Sequence, residues 1–275
     1  MHSTLSHASR YAERAAPWPR SAGHILRRVR GSDVDRHLAG VPELPVATPA
    51  SVIALAAGRD VRAVWRNELG GVTFEMGVDS ARCFVKWLPA GAGLDLEAEA
   101  ARLRWAGQHC VVPEVIETGA DDDGSWLATR AIPGTNAVAD RWKRDPLTAV
   151  RAIGAGLRHL HDSLPVDDCP FSWSAEDRIA SATTVIDDPP GIDKLVVCHG
   201  DACAPNTLIA DDGSFTGHVD LGALGIADRW ADLAIATWST TWNYGPGWES
   251  ALLDAYGVAP DGERTRYYRM LWDLT

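Results

Sequence analysis

Three residues near the end of the chain have the types and the spacing for phosphoryl transfer. They lie in His199-Gly-Asp-Ala-Cys-Ala-Pro-Asn206 and in Gly217-His-Val-Asp220. Transfer from a metal-bound nucleotide needs an acid that orients the acceptor hydroxyl and takes its proton. It also needs hard oxygen ligands for the magnesium ions that bridge the phosphates. Asp201 suits the first role. Asn206, five positions later, and Asp220 suit the second, since Mg²⁺ takes oxygen ligands and completes its shell with phosphate and water. The pattern reads as an ATP-dependent small-molecule kinase with ATP and Mg²⁺ as its cofactors. Such chemistry also needs a cation upstream for the α- and β-phosphates. The chain is rich in arginine, but its only lysines are Lys86, Lys143 and Lys194. Lys86 lies in the β-rich run Cys83-Phe-Val-Lys-Trp87 and suits the task as a compact, flexible point charge.

The neighbouring sequence supplies elements that would position these groups. Leu195-Val-Val-Cys198 is a short apolar run, a buried strand ending at His199-Gly200, where the glycine lets the backbone turn and Asp201 project. Pro205 blocks a helix and holds a tight loop, turning Asn206 back toward Asp201. Thr207-Leu-Ile-Ala210 and Phe215 to Asp220 flank Asp211-Asp-Gly213, a hairpin whose second strand brings Asp220 to the same end as Asn206. Leu96, Ala100 and Leu103 recur at helical spacing within residues 94–106, and Glu97 and Glu99 compete there as the partner of Lys86. Asn67-Glu-Leu-Gly-Gly-Val-Thr73 joins two strands upstream, where the amides of Gly70 and Gly71 would approach phosphates. It fits neither the Walker pattern nor a complete glycine-rich kinase loop.

The segments Cys198 to Asn206 and Val219-Asp-Leu-Gly-Ala-Leu-Gly-Ile-Ala-Asp-Arg229 resemble the signature of the aminoglycoside O-phosphotransferases, on the branch that modifies a 3′ or 3″ hydroxyl. Asp168-Cys-Pro-Phe171, after the helix holding Leu157-Arg-His-Leu-His161, is similar to another landmark of that branch, as is Arg266-Tyr-Tyr-Arg-Met-Leu271. The resemblance covers roughly Trp65 onward. It implies an α+β, two-lobed, protein-kinase-like fold: an antiparallel sheet plus one helix in the N-terminal lobe, and a mainly helical C-terminal lobe. The divisions expected are a flexible extension over residues 1–45, a nucleotide-binding lobe over 46–133 and a catalytic, acceptor-binding lobe over 134–275. The resemblance implies Asp201 as catalytic base, Asn206 and Asp220 as metal ligands, Lys86 as phosphate lysine and Glu99 as its partner. Backbone groups around Arg130 to Ile132 would bind the adenine edge, His199 would hold the catalytic loop, and Asp232 would brace it.

Two departures from the family touch the acceptor side. Ala223 stands where an arginine is common, and only residues 172–194 separate the Cys-Pro-Phe landmark from the catalytic strand, where relatives carry a longer helical insert. Trp242, in an aromatic stretch from Trp238 to Trp248, and Asp273, the nearest terminal carboxylate, are the acceptor candidates. The expected activity is transfer of the γ-phosphate to an aminoglycoside, conferring resistance. The alternatives are a kinase of another hydroxylated metabolite or antibiotic, or a silent nucleotide-binding pseudokinase, against which the intact Lys86, Asp201, Asn206 and Asp220 set argues.

A formal net charge of −11 disfavours nucleic acid and suits a cationic acceptor. The five cysteines have no metal spacing and an odd count, which argues against a disulfide framework and points to a reducing cytoplasm. A monomer or homodimer is expected. Cys203 sits between Asp201 and Asn206, where its modification would block activity. Arg10, Arg14, Arg20, Arg27, Arg28 and Arg30 give the first residues a basic character, but no apolar run of membrane-spanning length follows.

Overall fold

The computed structural model of the 275-residue chain describes residues 40–42, 45–67, 69–173, 175–181 and 188–274. The extension expected over residues 1–45 lies outside the described residues except at 40–42 and 45. The expected α+β arrangement of two lobes is what the chain forms.

The first lobe is built on an antiparallel sheet of β1 (Val61–Arg66), β2 (Val72–Met76), β3 (Cys83–Pro89), β4 (Val115–Ala120) and β5 (Gly124–Arg130), in the order β1-β2-β3-β5-β4. Alternation sorts the faces. Val72, Phe74 and Met76 of β2 and Cys83 and Val85 of β3 are buried against Val52 and Ala56 of α1 (Ala50–Ala56). Thr73, Glu75, Phe84 and Lys86 point the other way, into a cleft. The helix α2 (Leu96–Ala106) starts at Asp95, whose carboxylate accepts from the amide of Ala98, and buries Leu96, Glu99, Ala100 and Leu103 along one stripe.

The chain then crosses through β6 (Thr135–Asn136) and α3 (Asp140–Lys143) into α4 (Pro146–Ser163), the helix that holds Leu157 to His161. After the short α5 (Ala175–Ser181), two small antiparallel sheets carry the chemistry: β7 (Leu195–Cys198) pairs with β10 (Gly225–Asp228), and β8 (Thr207–Ile209) lies between β6 and β9 (Phe215–His218). The helices α6 (Trp230–Tyr244), α7 (Glu249–Tyr256) and α8 (Gly262–Leu274) complete the second lobe. Its core joins Ile153 and Leu157 of α4, Val196 and Cys198 of β7, Trp230 and Leu233 of α6, and Leu252 of α7.

Candidate active site

Lys86 is the hub of the cleft. Its Nζ donates to Oε1 and Oε2 of Glu99 at 2.8 and 2.7 Å and to Oδ1 of Asp220 at 2.7 Å. Burial opposes the charge, but the Asp220 and Glu99 carboxylates hold the ammonium well above its ordinary pKa. The choice between the two glutamates is therefore Glu99. Glu97 lies on the exposed face of α2 and pairs with Arg104 at 2.9 Å instead. The Lys86 ammonium, with burial working against it, holds Asp220 below the usual carboxylate range.

The strand β9 stops at His218, two residues short of Asp220, so the strand itself does not deliver the carboxylate. Asp220 takes φ +64, a left-handed conformation that a non-glycine residue rarely adopts. That turn carries its side chain back toward Lys86.

Asp201 projects from the loop after β7 as expected. Burial and the charge of Asp220 push its carboxyl above the ordinary range. The Asn206 Nδ2 donates to Asp201 Oδ2 at 3.2 Å and to the Asp201 carbonyl at 2.9 Å, which leaves the amide oxygen of Asn206 for another ligand. Asp201 Oδ1 is buried and has no hydrogen-bond partner among the described residues. Gly200 makes this turn possible, with φ +84 and a Cβ position only 2.1 Å from the Ala223 carbonyl.

The loop is held from behind. His199 Nδ1 accepts from the Asp201 amide at 3.3 Å, so its proton is on Nε2, which donates to the Val219 carbonyl at 3.0 Å. Asp232 of α6 accepts from the amides of His199 and Gly200 at 2.6 and 2.9 Å, and from His161 Nε2 at 2.9 Å. Ser239, two turns further along α6, accepts from the Ala204 amide at 2.9 Å.

Between the lobes lies a cavity of about 400 Å³ lined by Phe84, Lys86, Glu99, Arg130, Ile132, Asn206, Leu208 and Asp220, among others. Arg130 and Ile132 are thus brought to it as expected. The Arg130 and Ala131 amides are engaged by the carbonyls of Glu114 and Arg82. The Ile132 amide makes no backbone hydrogen bond among the described residues. Gly70 and Gly71 are not among the lining residues. Their amides donate instead to Asn67, to its carbonyl at 3.2 Å and its Oδ1 at 2.7 Å. Phe84 was not singled out from the sequence, although its place two residues before Lys86, on the same strand face, was the available signal.

Trp242 stands apart from this cavity, in a cluster with Trp238 and Trp272 at ring separations of 4.9 and 5.7 Å. It lies one turn along α6 from Ser239, which grips the catalytic loop. The Asp273 side chain is outside the described residues.

Asn206 and Asp220 both line this cavity and offer an amide and a carboxylate oxygen, a donor set that fits Mg²⁺, and Asp220 already pairs with the Lys86 ammonium.

The profile of the phosphotransferase enzyme family matches residues 51–189 and 186–268. The chain is similar to the streptomycin 3″-kinase of Streptomyces griseus, at 35% identity over 258 residues that cover 79% of this chain and 93% of the relative. Among solved structures it resembles aminoglycoside-3′-phosphotransferase of type VIII, at 31% identity and a TM-score of 0.66, over 79% of this chain and 94% of the other. It also resembles the aminoglycoside phosphotransferase APH(3″)-Id of Streptomyces rimosus in complex with ADP and streptomycin. There the identity is 29% and the TM-score 0.58, over 74% of this chain and 90% of the other.

Proposed function

The chain belongs to the phosphotransferase enzyme family, on its aminoglycoside 3′/3″ branch, and we propose that it transfers the γ-phosphate of ATP to the 3′ or 3″ hydroxyl of an aminoglycoside antibiotic, conferring resistance. The observation that carries this reading is the convergence of Lys86, Asn206 and Asp220 on one cavity, with the raised, half-bonded carboxylate of Asp201 beside it.

In this reading the adenine edge would bond the Ile132 amide, with Phe84 lining the same cavity. Lys86 leaves Asp220 for the α- and β-phosphates and keeps Glu99, which holds it in place. Mg²⁺ bound by Asn206 and Asp220 would neutralise charge on the phosphates. Asp201 accepts the proton of the acceptor hydroxyl on Oδ1, and its Oδ2 stays fixed by Asn206. Catalysis then rests on holding acceptor and phosphate in line rather than on a covalent intermediate. Gly70 and Gly71 would contribute only if a nucleotide displaced Asn67 from their amides.

We place the boundary between the lobes at residues 133 and 134. The acceptor rests on the second lobe, against Asp201 and the Trp242 cluster, with Asp273 as a terminal carboxylate. No helix among the described residues is long and apolar enough to cross a membrane. All five cysteines are free, which supports a cytoplasmic enzyme, and we take it to act as a monomer or homodimer.

The test is turnover against a panel of kanamycin, neomycin, a 3′-deoxy relative of one of them, and streptomycin. Turnover on kanamycin or neomycin but not on the 3′-deoxy compound assigns the 3′ hydroxyl, and turnover on streptomycin alone assigns 3″. Nucleotide binding without turnover on any of them contradicts the aminoglycoside acceptor and leaves a kinase of another hydroxylated compound.

A further inference from the structure

The Asp232 carboxylate that braces the catalytic loop is itself held from a helix remote from the cleft. His161 of α4 offers Nε2 to Asp232, and its other ring nitrogen, Nδ1, lies 2.9 Å from the Tyr256 hydroxyl on α7. The His161 and Asp232 side chains are fully buried, and Tyr256 is 2% exposed. No step of phosphoryl transfer uses the tyrosine.

Hydrogen-bond directions in this chain can be worked out from its ends. Asp232 already accepts two amides and has only acceptor atoms, so the third contact requires a proton on His161 Nε2. At the other end the Arg158 guanidinium stands 5.8 Å from the centre of the Tyr256 ring. Burial pushes the phenol up to about 12, so it keeps its proton. With the ring proton on Nε2, Nδ1 carries the lone pair, so the phenol gives its O–H and Nδ1 is the acceptor. Tyr256 thus donates to His161, and His161 to Asp232. Cys198 Sγ also lies near His161 and Asp232, a grouping of the kind that holds metal ions. Burial keeps that thiol protonated, and it donates to the Asp228 carbonyl, while the imidazole and carboxylate are already bonded. The cluster is a hydrogen-bond relay and not a metal centre.

We propose that Tyr256 is a positioning residue of the transfer site: its hydroxyl, donating to Nδ1, fixes the orientation of the His161 ring, whose Nε2–H holds Asp232 in the orientation that sets Gly200 and hence Asp201. Loss of the hydroxyl leaves Nδ1 buried without a donor. The ring is then held at Nε2 alone and is free to turn out of line with the Asp232 carboxylate. The brace on the His199 and Gly200 amides loosens, and Asp201 loses its alignment with the acceptor. The inference rests on Asp201 as the catalytic base.

The test compares Tyr256→Phe, His161→Gln, the double variant and Asp201→Asn, by imidazole ¹⁵N spectra and by kcat and KM for ATP and the acceptor. Glutamine keeps an N–H donor near the position of Nε2 and has no imidazole ring for the phenol to hold. The expected results are a sharp Nε2–H signal of His161 in the wild type, and one broadened or shifted in Tyr256→Phe. That variant should lose roughly tenfold in kcat with both KM values within roughly twofold. His161→Gln should lower kcat by itself, and adding Tyr256→Phe to it should change nothing further. An unchanged Nε2–H signal or kcat in Tyr256→Phe, or an equal loss in the His161→Gln background, overturns the proposal. Turnover surviving in Asp201→Asn would instead defeat the reading of the active site, and the spectra would still report on the His161 ring.

Discussion

At the scale of single residues, environment separates the carboxylates of the cleft into different roles. Asp220 faces the Lys86 ammonium and is held ionised, whereas burial and Asp220 itself push Asp201 upward. A base acts only when deprotonated, so activity falls as pH drops through the raised pKa. The acid limb of the kcat/KM profile is expected above the ordinary carboxyl value of 3.8, and a limb below it would count against Asp201. Lys86→Met removes the cation that Glu99 and Asp220 share. It should raise the Kd for ATP and lower kcat by more than roughly 100-fold, as isothermal titration and steady-state rates would show. Cys203, the thiol inside the catalytic motif, tells against easy modification. Burial and the Asp201 charge push it well above its ordinary value, so little thiolate exists at neutral pH. Iodoacetamide should therefore label it slowly by mass spectrometry while activity persists. Rapid inactivation that Cys203→Ser prevents would contradict this.

At the scale of elements, much of the positioning was legible and some was not. The apolar run before His199, the hairpin around Gly213 and the helical spacing of Leu96, Ala100 and Leu103 are local patterns, and each formed the element expected. The glutamate ambiguity was resolvable in principle. Glu99 stands three residues after Leu96 and four before Leu103, on the buried stripe, whereas Glu97 does not. Asp220 was placed by a backbone turn that no side-chain pattern announces. The engagement of Gly70 and Gly71 by Asn67 depends on a local side-chain contact that competes with the phosphate role. Tyr256 was out of reach of spacing arguments, because it meets His161 across 95 positions. That meeting needs α7 to lie close on α4, and Gly154 permits it: a Cβ there would stand 2.4 Å from the Leu252 carbonyl. Gly154→Ala should cost roughly 1–3 kcal/mol of stability in urea titration and perturb the His161 signals. Wild-type stability with unchanged spectra would show that the helices have room to spare.

At the scale of the whole molecule, the acidic charge and one buried histidine set the dependence on conditions. A polycationic acceptor drawn to a chain of net charge −11 should show a KM that rises with ionic strength while kcat holds. His218 packs against the rings of His199 and Phe215, and burial pushes its imidazole down to about 3 from 6.5. The unfolded chain therefore binds a proton between those values that the native chain refuses. Stability contributed by neutral His218 is fully present above 6.5 and is lost as pH falls toward 3, at up to about 1.4 kcal/mol per pH unit. His218→Phe should flatten that slope in urea titrations at pH 5 and 7, and an unchanged slope would contradict the assignment. The central claim, that Asp201 drives transfer of phosphate from ATP in this cleft to an aminoglycoside hydroxyl, is tested most directly by ADP release with Mg·ATP and streptomycin or kanamycin, in wild type and Asp201→Asn. The account predicts turnover that falls by more than roughly 1000-fold in the variant while ATP still binds. Equal ADP release by the two proteins would contradict it.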